Sequence, residues 1–155
     1  MKLYLVQHAE AKSEEQDPDR SITPKGRDDT IAVSRILRSL ELKVDQVRHS
    51  GKTRAQQTAG ILSQKLSPSG GLREADGLGP VDDVEKVGGE ITDGNQNLML
   101  VGHLPFMERI TGYLITGDAD QKVVDFQNAG VVCLGYEQGA WSVNWILTPE
   151  LAHAF

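Results

Sequence analysis

Short apolar runs alternate with helix-period segments along the first two-thirds of the chain, and the last third switches to two strand-like runs flanking a glycine turn. That order constrains the fold more than any other feature. Lys2 to Val6 predicts a strand, with Leu3, Leu5 and Val6 apolar around Tyr4. Thr23-Pro24 predicts a helix start, since a threonine hydroxyl can cap free N–H groups and proline has none to leave unpaired. Ile31, Val33, Ile36, Leu37 and Leu40 then recur at helical spacing. Val44 to Val47 reads as a second strand, and Thr53 to Leu66 as a second helix with Ala55, Ala59, Leu62 and Leu66 on one face. Leu72 to Gln96 is weakly periodic and glycine-rich, which predicts loops around a short helix near Asp82 to Val87. Leu98 to Val101 is continuously apolar, as suits a strand covered on both faces. Pro105 opens another helix with Ile110 and Leu114 inward.

Val131 to Glu137 and Ala140 to Leu147 flank Gln138-Gly139, the pattern of a β-hairpin. Strands alternating with helices and closing on a hairpin imply an α/β layered sheet of mixed strand direction. The expectation is a single domain over residues 1–155, large enough to hold a core without a metal or disulfide.

Acids outnumber bases 22 to 16, a net charge of −6, which argues against a general nucleic-acid binder but not against a small cationic pocket. Cys133 is the lone cysteine, in the apolar run Val131-Val132-Cys133-Leu134, so it reads as a buried hydrophobe. An intrachain disulfide and a Cys-rich zinc site are excluded. No apolar stretch approaches the roughly 18–20 residues that span a bilayer, and no signal-peptide core opens the chain. The expectation is a soluble, cytoplasmic protein without membrane partners.

Two of the four histidines share a setting. His8 ends the first strand, and His103 follows the Leu98–Val101 strand by one glycine. Ligands of open α/β sheets sit beyond the carboxyl ends of the strands, so the two imidazoles can meet in one crevice. Arg54 falls in the first turn of the second helix, where a cation opposes the dipole unless an anion lies nearby. Together these three predict an anion pocket. Gly51-Lys52-Thr53 resembles the end of a Walker A loop, but Gln46 stands where its first glycine belongs. His8-Ala9-Glu10 matches the H-x-E of zinc deaminases, yet one cysteine cannot build their P-C-x-x-C. No metal site and no serine nucleophile motif is present.

Leu5-Val6-Gln7-His8-Ala9-Glu10-Ala11 resembles the L-V-R-H-G-E-A signature of the histidine phosphatase superfamily. Ser50 with Arg54-Ala55-Gln56-Gln57-Thr58-Ala59 resembles its S-P-x-x-R-A-x-Q-T-A block, and Gly102-His103-Leu104-Pro105 its G-H-x-P block. Leu78-Gly79-Pro80 and the ending Trp141 to Glu150 are most similar to the SixA-type phosphohistidine phosphatases. The resemblance implies a three-layer α/β/α, phosphoglycerate mutase-like fold with a mixed, mostly parallel sheet. It implies a metal-free, cofactor-free phosphatase in which His8 carries the phosphoryl group, with Arg54 and His103 as a cationic cradle and Gln7 and Ser50 as further phosphate contacts. His103 would act as a proton-bearing donor. Glu74 and Asp76 are the candidates for general acid. The implied partner is a phosphorylated protein, such as a histidine-containing phosphotransfer domain, or a small phosphomonoester. A mutase is disfavoured, because the chain lacks room for insertions that enclose phosphoglycerates.

Two departures stand out. Gln7 replaces the family's first arginine, which removes one charge-assisted contact, worth roughly 1.5–3 kcal/mol. Lys12, Arg20 and Arg73 are the bases that could compensate, and a catalytically weakened phosphate-binding pseudophosphatase is the alternative reading. Gly51 replaces a proline, loosening the turn before the second helix. His49 is expected near the site or on the surface, and His153 to be exposed. The sequence does not specify an oligomeric state.

Overall fold

Thr23 caps the first helix as its sequence predicts: the hydroxyl accepts from Gly26 N–H at 2.9 Å, and Pro24 takes the first helical position. The computed structural model describes residues 1–155. In chain order the elements are β1 (Lys2–Gln7), α1 (Pro24–Ser39), β2 (Gln46–His49), α2 (Thr53–Leu66), β3 (Leu72–Glu74) and α3 (Val84–Asp93). They continue with β4 (Leu98–Gly102), α4 (Phe106–Thr116), β5 (Val131–Glu137), β6 (Ala140–Leu147) and α5 (Pro149–His153).

The strands form one sheet in the order β3-β2-β4-β1-β5-β6. The first four run parallel, as helical crossovers require, and β5 and β6 are antiparallel. Gln138 and Gly139 both take positive φ (52° and 77°), so the hairpin turn twists with its strands.

Strand alternation sorts the core into two faces. Leu3, Leu5, Leu98 and Leu100 pack under α3 and α4 against Val87, Ile91, Phe106 and Ile110. Tyr4, Val6, Met99 and Val101 meet Val33 and Leu37 of α1, Ala55, Ala59 and Leu62 of α2, and Ala152 of α5. Helices therefore cover both sides of the sheet, the expected three-layer α/β/α arrangement. Each fully buried leucine contributes about 1.5–3 kcal/mol to that packing.

Four local readings are corrected. The second strand is Gln46–His49, two residues later than the apolar run suggested, because β2 pairs in register with β4. On α1 the buried face is Gly26, Asp29, Thr30, Val33, Ser34 and Leu37, while Leu40 is 52% exposed. Small residues line it because a Cβ at Gly26 would collide with the main chain of Glu10. In the glycine-rich stretch, Leu72–Glu74 adds a strand beside β2, and the helix runs on to Asp93 through Gly88, where a side chain would crowd Tyr113 of α4. Finally, Thr148-Pro149 starts α5 just as Thr23-Pro24 starts α1. His153 is exposed as expected, but its Nε2 lies 2.8 Å from Oδ1 of Asp29, tying α5 to α1.

Candidate functional site

Register alone brings the two histidines together. Parallel pairing of β1 with β4 sets Gln7 opposite Gly102, so His8 and His103, each one step beyond, face each other across the strands. Their ring centroids are 5.1 Å apart. The His8 amide prolongs the ladder by donating to Gly102 O at 2.9 Å. On the other side of β4, the residue after β2 is Ser50, whose Oγ lies 2.6 Å from His103 Nε2 and fixes that ring. Arg54 sits in the first turn of α2, which opens three residues after Ser50.

The hydrogen bonding of His8 decides its chemistry. Its Nδ1 lies 2.7 Å from Ala9 O, and a carbonyl only accepts, so Nδ1 carries the proton. Nε2 is then left with a lone pair and no protein partner. The backbone around it is stitched down: Ala9 N–H donates to the buried Thr58 Oγ1 at 2.9 Å, and Asn128 Nδ2 donates to His8 O at 2.9 Å. Burial lowers the His8 pKa, the Ala9 bond opposes this, and the Arg54 and Arg20 charges lower it further. A neutral imidazole is the nucleophilic form.

His103 is 2% exposed. Burial, then the neighbouring His8, Arg54, Lys52 and Arg20, push its pKa down to about 3. The expected proton-bearing donor is thus a neutral ring in the free protein. An anion in the pocket would reverse the electrostatic part of that shift.

The chain has three buried side-chain polar atoms without a hydrogen-bond partner: Gln7 Oε1, Arg54 Nε and His103 Nδ1. All three belong to the predicted site. Leaving such an atom unpaired costs about 1–3 kcal/mol, so Arg54 and His103 each hold a buried donor or acceptor that the protein itself does not satisfy. No carboxylate closes on the guanidinium of Arg54, and the ion pairs of the chain lie elsewhere. The Gln7 amide, held by no acceptor, can present its NH2 by a half-turn of its last bond.

Ser50, His8 and His103 are therefore brought together, Arg54 lies close enough for its charge to bear on both imidazoles, and Gln7 immediately precedes His8 at the end of β1. Glu74 and Asp76 make no hydrogen bond to either imidazole. Glu74 pairs with His49 at the sheet edge, and its carboxyl lies over Gly51, where a Cβ would sit 2.8 Å from Cδ. Asp76 lines a concavity on the opposite face, with Arg48, Leu98 and Leu100. The Gly51 departure has a local cause. Its φ of +93° is closed to proline, and its N–H donates to His49 Nδ1 at 3.0 Å, which proline could not do. His49 is itself buried, 5% exposed, rather than at the surface. Sequence reasoning missed Thr58 and Asn128. Thr58 lay within the quoted Arg54–Ala59 block, whereas Asn128 carried no signal. No group of three or more His, Cys, Asp or Glu side chains is arranged to hold a metal ion. No helix is long and apolar enough to cross a membrane.

No protein-family profile matches the sequence. The chain is 34% identical over 65 residues to the mitochondrial serine/threonine-protein phosphatase PGAM5 of Rattus norvegicus, covering 41% of this chain and 23% of the relative. It is 33% identical over 84 residues to its Xenopus tropicalis counterpart, covering 50% and 30%. The match thus spans less than a third of these relatives. Among solved structures, the protein histidine phosphatase SixA complexed with tungstate superposes with a TM-score of 0.84 at 21% identity, over 96% of this chain and 97% of that one. A phosphoserine phosphatase variant from Entamoeba histolytica, in complex with phosphoserine, gives 0.75 at 14% identity over 97% and 98%. A mycobacterial glucosyl-3-phosphoglycerate phosphatase gives 0.74 at 13% identity over 93% and 97%. The chain therefore has a phosphoglycerate mutase-like fold, shared with these phosphatases.

Proposed function

We propose that this protein is a phosphatase that carries the phosphoryl group transiently on Nε2 of His8 and acts on protein-borne phosphohistidine. The observation that carries the reading is the pairing of the free Nε2 of His8 with the His103 ring 5.1 Å away, next to Arg54 and with buried polar atoms of Arg54 and His103 left unpartnered.

In the first step the Nε2 lone pair forms an N–P bond as the bond from phosphorus to the leaving group breaks. The three equatorial oxygens meet Arg54, which can bind two at once, and the donor groups of His103 and Gln7. A phosphohistidine substrate protonated on its other ring nitrogen leaves as neutral imidazole, so no proton donor is required. That suits a site in which neither imidazole is hydrogen-bonded to a carboxylate. Water then attacks phosphorus, both its protons end on dihydrogen phosphate, and His8 departs with its lone pair restored. Small phosphate esters are the second substrate class, since an alkoxide leaving group needs a proton. His8 is half-buried rather than enclosed, which fits a phosphoryl group presented on another protein.

Gln7 favours one other reading, a module that binds phosphoprotein without turnover, because it is neutral where the family carries arginine. Release of inorganic phosphate from a phosphorylated histidine-containing phosphotransfer domain separates the two. The enzyme reading predicts turnover that His8→Ala abolishes. Phosphate binding without turnover supports the binding module, and unchanged turnover in His8→Ala removes His8 as nucleophile.

A further inference from the structure

Beyond Arg54, Arg20 is a further cation whose charge reaches this site, and its placement is unusual for a loop arginine. The loop from Ala11 to Ile22 is closed on itself and tied to α2 rather than left free. Ala11 and Ile22 form an antiparallel bridge, Lys12 N–H donates to Ser21 O at 2.8 Å, and Ile22 N–H donates to Gln57 Oε1 at 2.8 Å. Gln57 lies one helical turn beyond Arg54 on the same face of α2, so the strap is moored beside the phosphate cradle. The neighbouring Asp17 carboxylate accepts from Ser21 N and from Asp19 N, and Arg20 N–H donates to Asp17 O at 2.8 Å. These bonds hold Arg20 at a positive φ of 50°, a conformation an ordinary side chain avoids unless its surroundings impose it.

The guanidinium is equally constrained. Arg20 Nε donates to Lys12 O at 3.0 Å, and no carboxylate pairs with the two terminal nitrogens. Its positive charge helps lower the pKa of Arg54 and, more weakly, those of His8 and His103, the last also under the charge of Lys52. The other two bases do not share this position. Lys12 lends its carbonyl to hold Arg20, and its charge is not among those that lower the His8, Arg54 or His103 pKa values. Arg73 pairs in register with Arg48 and Leu100, which puts it on the opposite face of the sheet from the imidazoles.

We propose that Arg20 supplies the second guanidinium on the transferred phosphoryl group, replacing in space the arginine that Gln7 lacks in sequence. The proposal rests on the phosphatase reading and deepens it. A side chain from the 11–22 strap completes a cradle otherwise built only from strand ends and the start of α2. Nε is tethered to the main chain, so both terminal N–H pairs remain for the anion.

The test uses inorganic phosphate as competitive inhibitor and as ligand, measured by calorimetry on the whole chain. Arg20→Ala should weaken phosphate binding by about 10- to 100-fold, the range for losing one charge-assisted contact. Free guanidinium added to Arg20→Ala should restore part of the affinity, which a purely structural role would not allow. Gln7→Arg should rescue Arg20→Ala more than it improves the parent chain. Arg73→Ala is the control and should leave the constant unchanged. Parent-like affinity in Arg20→Ala, with binding still dependent on Arg54, overturns the Arg20 assignment and leaves the phosphatase reading standing. Absence of phosphate binding in the parent chain overturns both. A loss in Arg20→Ala that neither guanidinium nor Gln7→Arg reverses also overturns it, by making Arg20 a strut of the loop.

Discussion

Burying His103 as a neutral ring ties the stability of the protein to pH in a way that can be worked through. With its pKa at about 3 in the folded chain and near 6.5 when unfolded, the unfolded state holds one more proton between those limits. Stability therefore rises with pH across that window, and falls as the solution is acidified below the unfolded value. From about pH 7 to about pH 5 the unfolded state gains about 2 kcal/mol from this one ring. For a chain of 155 residues that corresponds to a melting temperature lower by about 4–8 °C. His8 and His49 are also lowered chiefly by burial and act with the same sign, so the parent chain shows the sum. His103→Gln removes the His103 share alone. Thermal or urea unfolding in phosphate-free buffer should show a pH dependence shallower by about 2 kcal/mol over this range in the variant. Added phosphate should flatten the parent curve too, because an anion raises the folded pKa. An unaltered slope in His103→Gln, or a His103 resonance titrating near 6.5, would refute the buried neutral ring.

The helix tie between α1 and α5 gives a second expectation. Burial pushes the Asp29 carboxyl up, but hydrogen bonds from Lys25 and His153 outweigh it and hold the group below the usual carboxylate range. Its contribution is thus present above the unfolded value near 3.9 and lost as pH falls through the folded one, and Asp29→Ala should cost about 1–3 kcal/mol in urea unfolding at neutral pH. Thr58→Val keeps the shape of a fully buried side chain but strands the Ala9 N–H beside His8, so hydrogen exchange at Ala9 should accelerate and stability drop by about 1–3 kcal/mol. Two helical glycines should behave oppositely in thermal unfolding. Gly112→Ala drives a Cβ against Gln121 O and, at 2.9 Å, Asp118 O, costing about 1–3 kcal/mol, while Gly60→Ala meets nothing and should stabilise α2 by about 0.5–1 kcal/mol.

What the sequence conveyed depended on how local the signal was. The Gln138-Gly139 hairpin and the Thr53–Leu66 helix were legible to the residue, because turn chemistry and helical period act over a few positions. The edge strand Leu72–Glu74 was not, since its three exposed residues exist as a strand only through pairing with β2. The run of glycines hid α3, because Gly88 serves its contact with α4 rather than local propensity. His8, Arg54 and His103 were legible because strand ends and helix starts are places where register fixes convergence. The neutral state of His103 was not, for it depends on burial and on charges from four residues distant in the chain. Arg20 was one of three bases the sequence could not rank; the hydrogen bonds that constrain its loop are what single it out for the proposal above.

The central claim is that a phosphoryl group rests covalently on Nε2 of His8 during turnover. The parent chain, mixed with a labelled histidine-phosphate donor and quenched in alkali within the first turnover, should carry acid-labile, alkali-stable label. Peptide mapping should assign it to His8, and His8→Ala should carry none. Label on another residue, or phosphate release at full rate with His8 never labelled, would contradict the account.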